Sequence, residues 1–188
     1  MDALRKYIDR YVALEDAEFD FFYSFLEEKT FQKHEYIQQS GSICTHHHFI
    51  IEGLVKSFYI DDSGTERIVQ FGIENWWVTN LESFKKQEPS LIQIQTLEKT
   101  TVLRIKKQDL DLAFNKIPKI ERLFRLIYEN WLIAEQRKGF FYMKTSSKDR
   151  YLALVESIPN FVQRVPQYMI ASYLDITPEY LSELRKSL

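Results

Sequence analysis

A single cysteine, Cys44, stands in 188 residues. That excludes an intramolecular disulfide framework, and it excludes an iron–sulfur cluster, which takes about four thiolates. A reducing, cytoplasmic location is the simplest inference. No apolar run is long enough to cross a bilayer. The charged, amphipathic opening "MDALRKYIDRYVALEDAEFD" lacks the apolar core of a signal peptide, so no membrane partner is expected. Also missing are a glycine-rich phosphate loop and any Ser/His/Asp or Cys/His spacing with a supporting context. Glu52 and Glu74 form no plausible acid–base pair, so no catalytic residue and no enzyme is expected.

Glycine and proline are scarce, five of each, and they are segregated. Gly41, Gly53, Gly64 and Gly72 fall between residues 41 and 72, whereas Pro118, Pro159, Pro166 and Pro178 all follow residue 100. Glycine-punctuated sequence gives way to proline-started helices, which indicates two architectures in one chain. Excess charge is scarce as well. The net charge of −2 divides into −5 for residues 1–117 (14 Lys/Arg, 19 Asp/Glu) and +3 for residues 118–188 (11 Lys/Arg, 8 Asp/Glu). A basic C-terminal part suits a polyanionic partner without identifying one.

What the chain does have is 45% hydrophobic and 28% charged residues, the balance of a globular protein. Apolar spacing near 3.6 over residues 3–27 predicts one or two helices, with Phe19, Phe22 and Phe25 on one stripe. From Thr30 the period changes. "VKSFYI" and "ERIVQFGI" flank "DDSG", a hairpin signal. "SLIQIQTLE" alternates and "TTVLRIKK" follows as another strand, so the N-terminal part reads as a barrel or roll of short strands. "KKQDLDLAFNKI" predicts a short helix, and Pro118 starts a long one. On that helix Ile120, Phe124, Ile127, Trp131 and Ala134 recur at a coiled-coil spacing, which fits either a homodimer seam or a helix laid on its own core. "SSKDRYLALVESIPNFVQRVP" predicts a further helix, capped by Ser147, with Leu152 and Val155 inward and Pro159 at its end.

Two clusters invite a ligand. In "THHHF" only His46 and His48 of the three histidines share a strand face, and nothing nearby completes a metal set, so no metal is expected and exposed histidines are. In "ENWWVTN", Trp76 or Trp77 could stack on a ligand base, although such a pair more often packs in a core.

The chain ends in "VPQYMIASYLDITPEYLSELRKSL". Pro166 sits near the start of one helix whose inner face is Ile170, Ala171 and Leu174. Asp175 takes the tight turn, Thr177 caps a second helix and Pro178 begins it. Leu181 and Leu184 point inward, leaving Glu179, Tyr180, Ser182, Glu183, Arg185 and Lys186 outward. Lys148–Leu188 therefore reads as a three-helix unit ending in helix-turn-helix geometry, whose second helix fits a DNA major groove.

"IASYLDITPEYLSELRK" resembles the helix-turn-helix of the Crp/Fnr family of bacterial transcription regulators. "HFIIEGLVKSFYIDDSGTERIVQF", "ENWWVTNLESF" and "PSLIQIQTLEKTTVLRI" look like that family's cyclic-nucleotide-binding-like β-roll, so the resemblance covers almost the whole chain. It implies an α+β chain: a sensor domain over residues 1–117 built on an antiparallel β-roll with flanking helices, a dimerisation helix over 118–144, and a DNA-binding domain over 145–188. It also implies a homodimer, double-stranded DNA as partner, and contact with RNA polymerase. In family members that bind cyclic AMP, a Gly-Glu pair grips the ribose and an Arg-Ser/Thr pair binds the phosphate, whose buried charge demands such a partner. Here those positions fall on Thr79 and Asn80 and on Pro89 to Leu91, with neither acid nor arginine. Cyclic AMP is therefore not expected. Any other effector would lie near Trp76, Trp77, Thr79, Asn80 and Ser90, and no cofactor is expected.

On the DNA side Glu179 matches the family's acidic reader, which accepts from a cytosine amino group. Glu183 stands where the family usually has an arginine, which puts the familiar half-site in doubt. Thr177, Tyr180, Ser182, Arg185 and Lys186 complete the expected DNA-binding set, with Arg185 and Lys186 on phosphate. No winged hairpin is expected, since the chain stops at Leu188. The alternative is a ligand-binding roll whose helical tail serves protein partners, DNA binding having been lost.

Overall fold

A computed structural model describes residues 1–158 and 160–186. The chain forms two compact units. One comprises Met1–Ser57 with Phe71–Asn130; the other comprises Phe58–Gln70 with the chain from Trp131 onward. The division falls inside the long helix and assigns a hairpin tip to the C-terminal unit.

Ahead of the long helix, α1 (Asp2–Ile8) and α2 (Asp16–Tyr23) precede β1 (Glu27–Phe31), β2 (Tyr36–Gln38), β3 (His46–Glu52) and β4 (Val55–Ile60). After β5 (Glu66–Gly72) come β6 (Trp77–Val78), α3 (Leu81–Lys86), β7 (Gln93–Thr96), β8 (Thr100–Lys106) and α4 (Lys107–Lys116). The strands make two four-stranded sheets, ordered β1-β8-β3-β6 and β2-β7-β4-β5. This is the mixed helix and antiparallel-roll architecture that the sequence implies.

Alternation along the strands sorts side chains into two layers. Phe49 opposes Leu103 and also Trp77, and all three join the helices Leu4, Ile8, Phe19 and Phe22 come from in one aromatic-rich core. Their sequence neighbours Ile50, Val102 and Val78 face the other way and meet Phe31, Val55 and Ile94 in a second, aliphatic core. Gly53, at φ +112° between β3 and β4, allows the chain to pass Thr100, with which any Cβ would collide. Leu91, read from the sequence as part of an alternating strand, precedes β7 and is exposed.

The histidines depart from the sequence expectation. His47 and His48 are buried, because β3 is an inner strand paired on both sides by β8 and β6.

The long helix α5 runs Pro118–Lys144. Proline is tolerated at its first position, where an amide would have no helical partner. Beyond it lie α6 (Ser147–Ser157), α7 (Phe161–Arg164), α8 (Gln167–Leu174) and α9 (Pro178–Lys186), so the terminal part holds four helices rather than three. The cap of α6 is Ser146, not Ser147: its hydroxyl accepts from the Asp149 amide, and the Asp149 carboxylate accepts in return from the Ser146 amide. The inward residues of α6 also differ from the expectation: Tyr151 and Leu154 are buried, whereas Leu152 is exposed and Val155 half-buried. Pro159, expected to end this helix, lies outside the described residues.

Candidate nucleic-acid interface

Helix α8 packs on α6 and on α9. Ile170, Ala171 and Leu174 of α8 and Leu181 and Leu184 of α9 are all buried. Ala171 is small where two helices must come close. Asp175 ends α8 at φ 53°, ψ 48°, the left-handed conformation that Asp adopts more readily than most residues. The Ile176 amide then reaches back to the Ala171 carbonyl at 3.0 Å. Thr177 Oγ1 accepts from the Tyr180 amide at 3.1 Å and fixes the start of α9 at Pro178. The turn, the cap and the inward leucines all match the sequence expectation.

The seven expected DNA-binding residues come together on this element. Thr177, Glu179, Tyr180, Glu183, Arg185 and Lys186 are exposed and Ser182 is half-buried. They are not equivalent in direction. At about 100° per residue, the direction opposite the midpoint of buried Leu181 and Leu184 lies within about 50° of Glu179, Ser182, Glu183 and Lys186. These four form the outer crest of α9. Tyr180 and Arg185 flank it, each about 110° off. Arg137, Lys144 and Lys148 add exposed positive charge in the same unit.

One feature of this unit is not legible in the sequence: α8 is held by the β4–β5 hairpin. Ser172 Oγ donates to the Glu66 carbonyl at 2.9 Å and accepts from the Ile68 amide at 3.2 Å. Arg67, bonded at 2.7 Å to Asp61, also reaches within 3.8 Å of Asp175. On the other side, Lys138 Nζ stands 4.3 Å from the ring centroid of Tyr173. A serine on a helix whose neighbours Ile170, Ala171 and Leu174 are buried was the only available signal.

The residues proposed for dimerisation divide. Ile120 and Phe124 are buried in the first unit's own core, packed with Leu110, Ala113 and Ile117, so they serve the monomer. Ile127 is half-buried against the same core. Trp131 and Ala134 are exposed, and so are Leu132, Ile133, Phe140 and Met143. The apolar repeat thus changes its role along one helix.

The proposed effector residues divide too. Asn80 Oδ1 accepts from the Ser83 amide, capping α3, and its Nδ2 donates to Ser90 Oγ at 2.9 Å. Thr79 Oγ1 donates to the His46 carbonyl and lies 3.2 Å from Cys44 Sγ. Trp77 belongs to a different layer, with its ring 5.2 Å from His47, 5.3 Å from Phe49 and 5.1 Å from Phe124. Trp76 is exposed. Lys85 and Lys86 are exposed.

His47 lies in the aromatic core among Trp77, Phe84, Phe124 and Tyr128. Its Nε2 is 3.2 Å from the Tyr128 hydroxyl. Burial pushes its pKa down to about 3, and His48 down to about 3 as well. Burial pushes the Tyr128 phenol up to about 12. Among the described residues, no group of three or more His, Cys, Asp or Glu side chains could hold a metal ion.

Residues 28–116 match the cyclic nucleotide-binding domain. The Anaerobic regulatory protein of Aggregatibacter actinomycetemcomitans is 25% identical over 84% of this chain and 65% of its own length. The chain thus spans slightly under two thirds of that relative. Regulatory protein HlyX of Actinobacillus pleuropneumoniae is 26% identical over 84% of this chain and 69% of its own length. Among solved structures, FixK2 from Bradyrhizobium japonicum superposes with a TM-score of 0.74 at 15% identity, covering 87% of this chain and 84% of that one. CLP from Xanthomonas campestris, described as a c-di-GMP-responsive global regulator, gives 0.73 at 13% identity over 92% and 91%. The fold is thus that of a regulator built from a nucleotide-binding-type β-roll, a long helix and a terminal helix-turn-helix. Over most of its length the chain is similar to Crp/Fnr-type regulators.

Proposed function

We propose that this protein is a homodimeric transcription regulator that binds double-stranded DNA through α9 and acts in the cytoplasm. The observation that carries the reading is the polar crest of α9: four side chains facing away from two buried leucines, with the helix start fixed by Thr177 and Pro178. A helix presented in this way can enter a major groove with its N-terminal half against base edges. Arg185 and Lys186 supply phosphate contacts, and the flanking Tyr180 hydroxyl can add another.

Dimerisation is assigned to the second half of α5. An exposed helix carrying Trp131, Leu132, Ile133 and Phe140 would leave a large apolar surface in water, and a second copy of the same helix would cover it. Two copies would present two α9 helices to half-sites about one helical turn apart. Contact with RNA polymerase follows from the family resemblance alone.

For the β-roll we propose that cyclic AMP is not the effector. Asn80 and Ser90 stand where the resemblance places the ribose and phosphate contacts, and their side chains are bonded to each other and to the start of α3.

The acidic pair Glu179 and Glu183 favours a second reading, in which α9 meets a protein partner. The salt dependence of binding to short duplexes separates the two. A DNA-binding protein loses affinity linearly on a log–log plot, with a slope reflecting the phosphates it neutralises. A slope near zero, or no binding at low salt by an intact dimer, contradicts the DNA reading.

A further inference from the structure

We infer that Glu183 reads DNA bases directly, as a second hydrogen-bond acceptor beside Glu179, so that each half-site must offer two base amino groups along the groove floor. The inference rests on the DNA-binding reading above and goes beyond it by naming the chemistry of the operator.

Position comes first. Glu179 and Glu183 are one helical turn apart on the crest of α9, opposite the fully buried Leu181 and the buried Leu184. Rotating Glu183 away from a groove would require uncovering those leucines, so a helix that docks by its polar side carries Glu183 into the interface. Both carboxylates are exposed, and among the described residues neither takes part in an ion pair that would hold it aside. The rise between them is about 6 Å, which corresponds to about two base-pair steps when the helix lies along the groove.

Chemistry comes second. A carboxylate only accepts hydrogen bonds. In the major groove the donors are cytosine N4 and adenine N6, while guanine O6 and N7 and thymine O4 are acceptors that repel it. Phosphate oxygens repel it as well, so Glu183 has no favourable role at the DNA backbone. Any duplex that α9 enters must therefore place an amino group opposite Glu183 or leave a desolvated charge unpaired. Lys186, three residues on and on the same crest, and Arg185 on the flank provide the compensating positive charge. The half-site is accordingly expected to carry cytosine or adenine at two positions about two base pairs apart, with guanine and thymine excluded at the one facing Glu183.

The test is selection of bound duplexes from a random pool by the full chain and by Glu183→Gln, Glu183→Arg and Glu179→Gln. Glu183 is exposed, so these changes leave the fold intact, which circular dichroism checks. The expected result is a wild-type consensus with amino-bearing bases at both positions. Glu183→Arg moves one position to guanine and Glu183→Gln moves the same one toward adenine, each by roughly tenfold or more, with the remaining positions unchanged. If the Glu183 variants return the wild-type consensus and differ only by a uniform gain in affinity, the inference is overturned while DNA binding stands. If no protein in the set retains any duplex at low salt, the DNA reading itself is overturned and the inference with it.

Discussion

The Ser172 hydroxyl donates to the Glu66 carbonyl at 2.9 Å and accepts from the Ile68 amide at 3.2 Å, so one side chain of α8 satisfies two backbone groups of β5. β5 is an edge strand of its sheet, and its outward backbone groups would otherwise need water. The hairpin that carries them is tight: Asp61 accepts from the Ser63 and Thr65 amides and binds Arg67. The position of the helix-turn-helix is therefore tied to the hairpin by hydrogen bonds as well as by apolar packing.

Ser172→Ala is expected to cost about 1–2 kcal/mol, because it leaves a carbonyl and an amide without their partner. Faster hydrogen exchange at the Ile68 amide, with the α6 and α9 amides little changed, is the expected signature. Unaltered exchange at Ile68 would mean that the contact contributes nothing.

Two substitutions on α5 separate its two roles. Phe124→Ala empties a fully buried site and is expected to lower stability by about 3–5 kcal/mol, measured by denaturant unfolding. Trp131→Glu is expected to leave folding intact and weaken self-association roughly a hundredfold or more, measured by analytical ultracentrifugation. Equal oligomeric states for wild type and Trp131→Glu would move the dimer interface elsewhere.

His47 and His48 make stability depend on pH in mild acid. Both stay neutral in the folded chain down to about 3, whereas the unfolded histidines take up protons below about 6.5. The unfolded state thus binds more protons below pH 6.5. Stability is whole above that pH and falls as the pH drops toward 3, approaching about 1.4 kcal/mol per pH unit for each histidine. His47→Phe is expected to remove about half of the histidine-linked slope between pH 6 and 5, read from denaturant midpoints. An unchanged slope would place His47 in contact with water.

Calorimetric titration with cyclic AMP is expected to show no heat of binding at micromolar to millimolar ligand. Saturable binding in the micromolar range would show that the Asn80–Ser90 contact opens to admit a phosphate.

The terminal element was the most legible part of the sequence, because its signals are local. Thr177 and Pro178 set a helix start, Asp175 accepts a left-handed backbone, and Leu181 and Leu184 mark an inner face. The strands were legible for the same reason, through the DDSG hairpin and the period-two runs. What failed depends on neighbours distant in sequence. Periodicity placed Ile120 and Phe124 on the same seam as Trp131, but whether a seam position meets its own core or solvent is decided by α1, α4 and β8. Three consecutive histidines look hydrophilic, yet β3 lies between β8 and β6, and burial follows from that pairing. The Ser172–Glu66 bond joins residues 106 apart and leaves no pattern in either segment.

Hydroxyl-radical footprinting of the dimer on a selected duplex tests the central claim most directly. The account predicts two protected backbone segments centred about 10 base pairs apart on one face of the helix. It also predicts that protection is lost when both Arg185 and Lys186 are changed to Ala. A single uninterrupted footprint without that periodicity, or protection indifferent to Arg185 and Lys186, would contradict it.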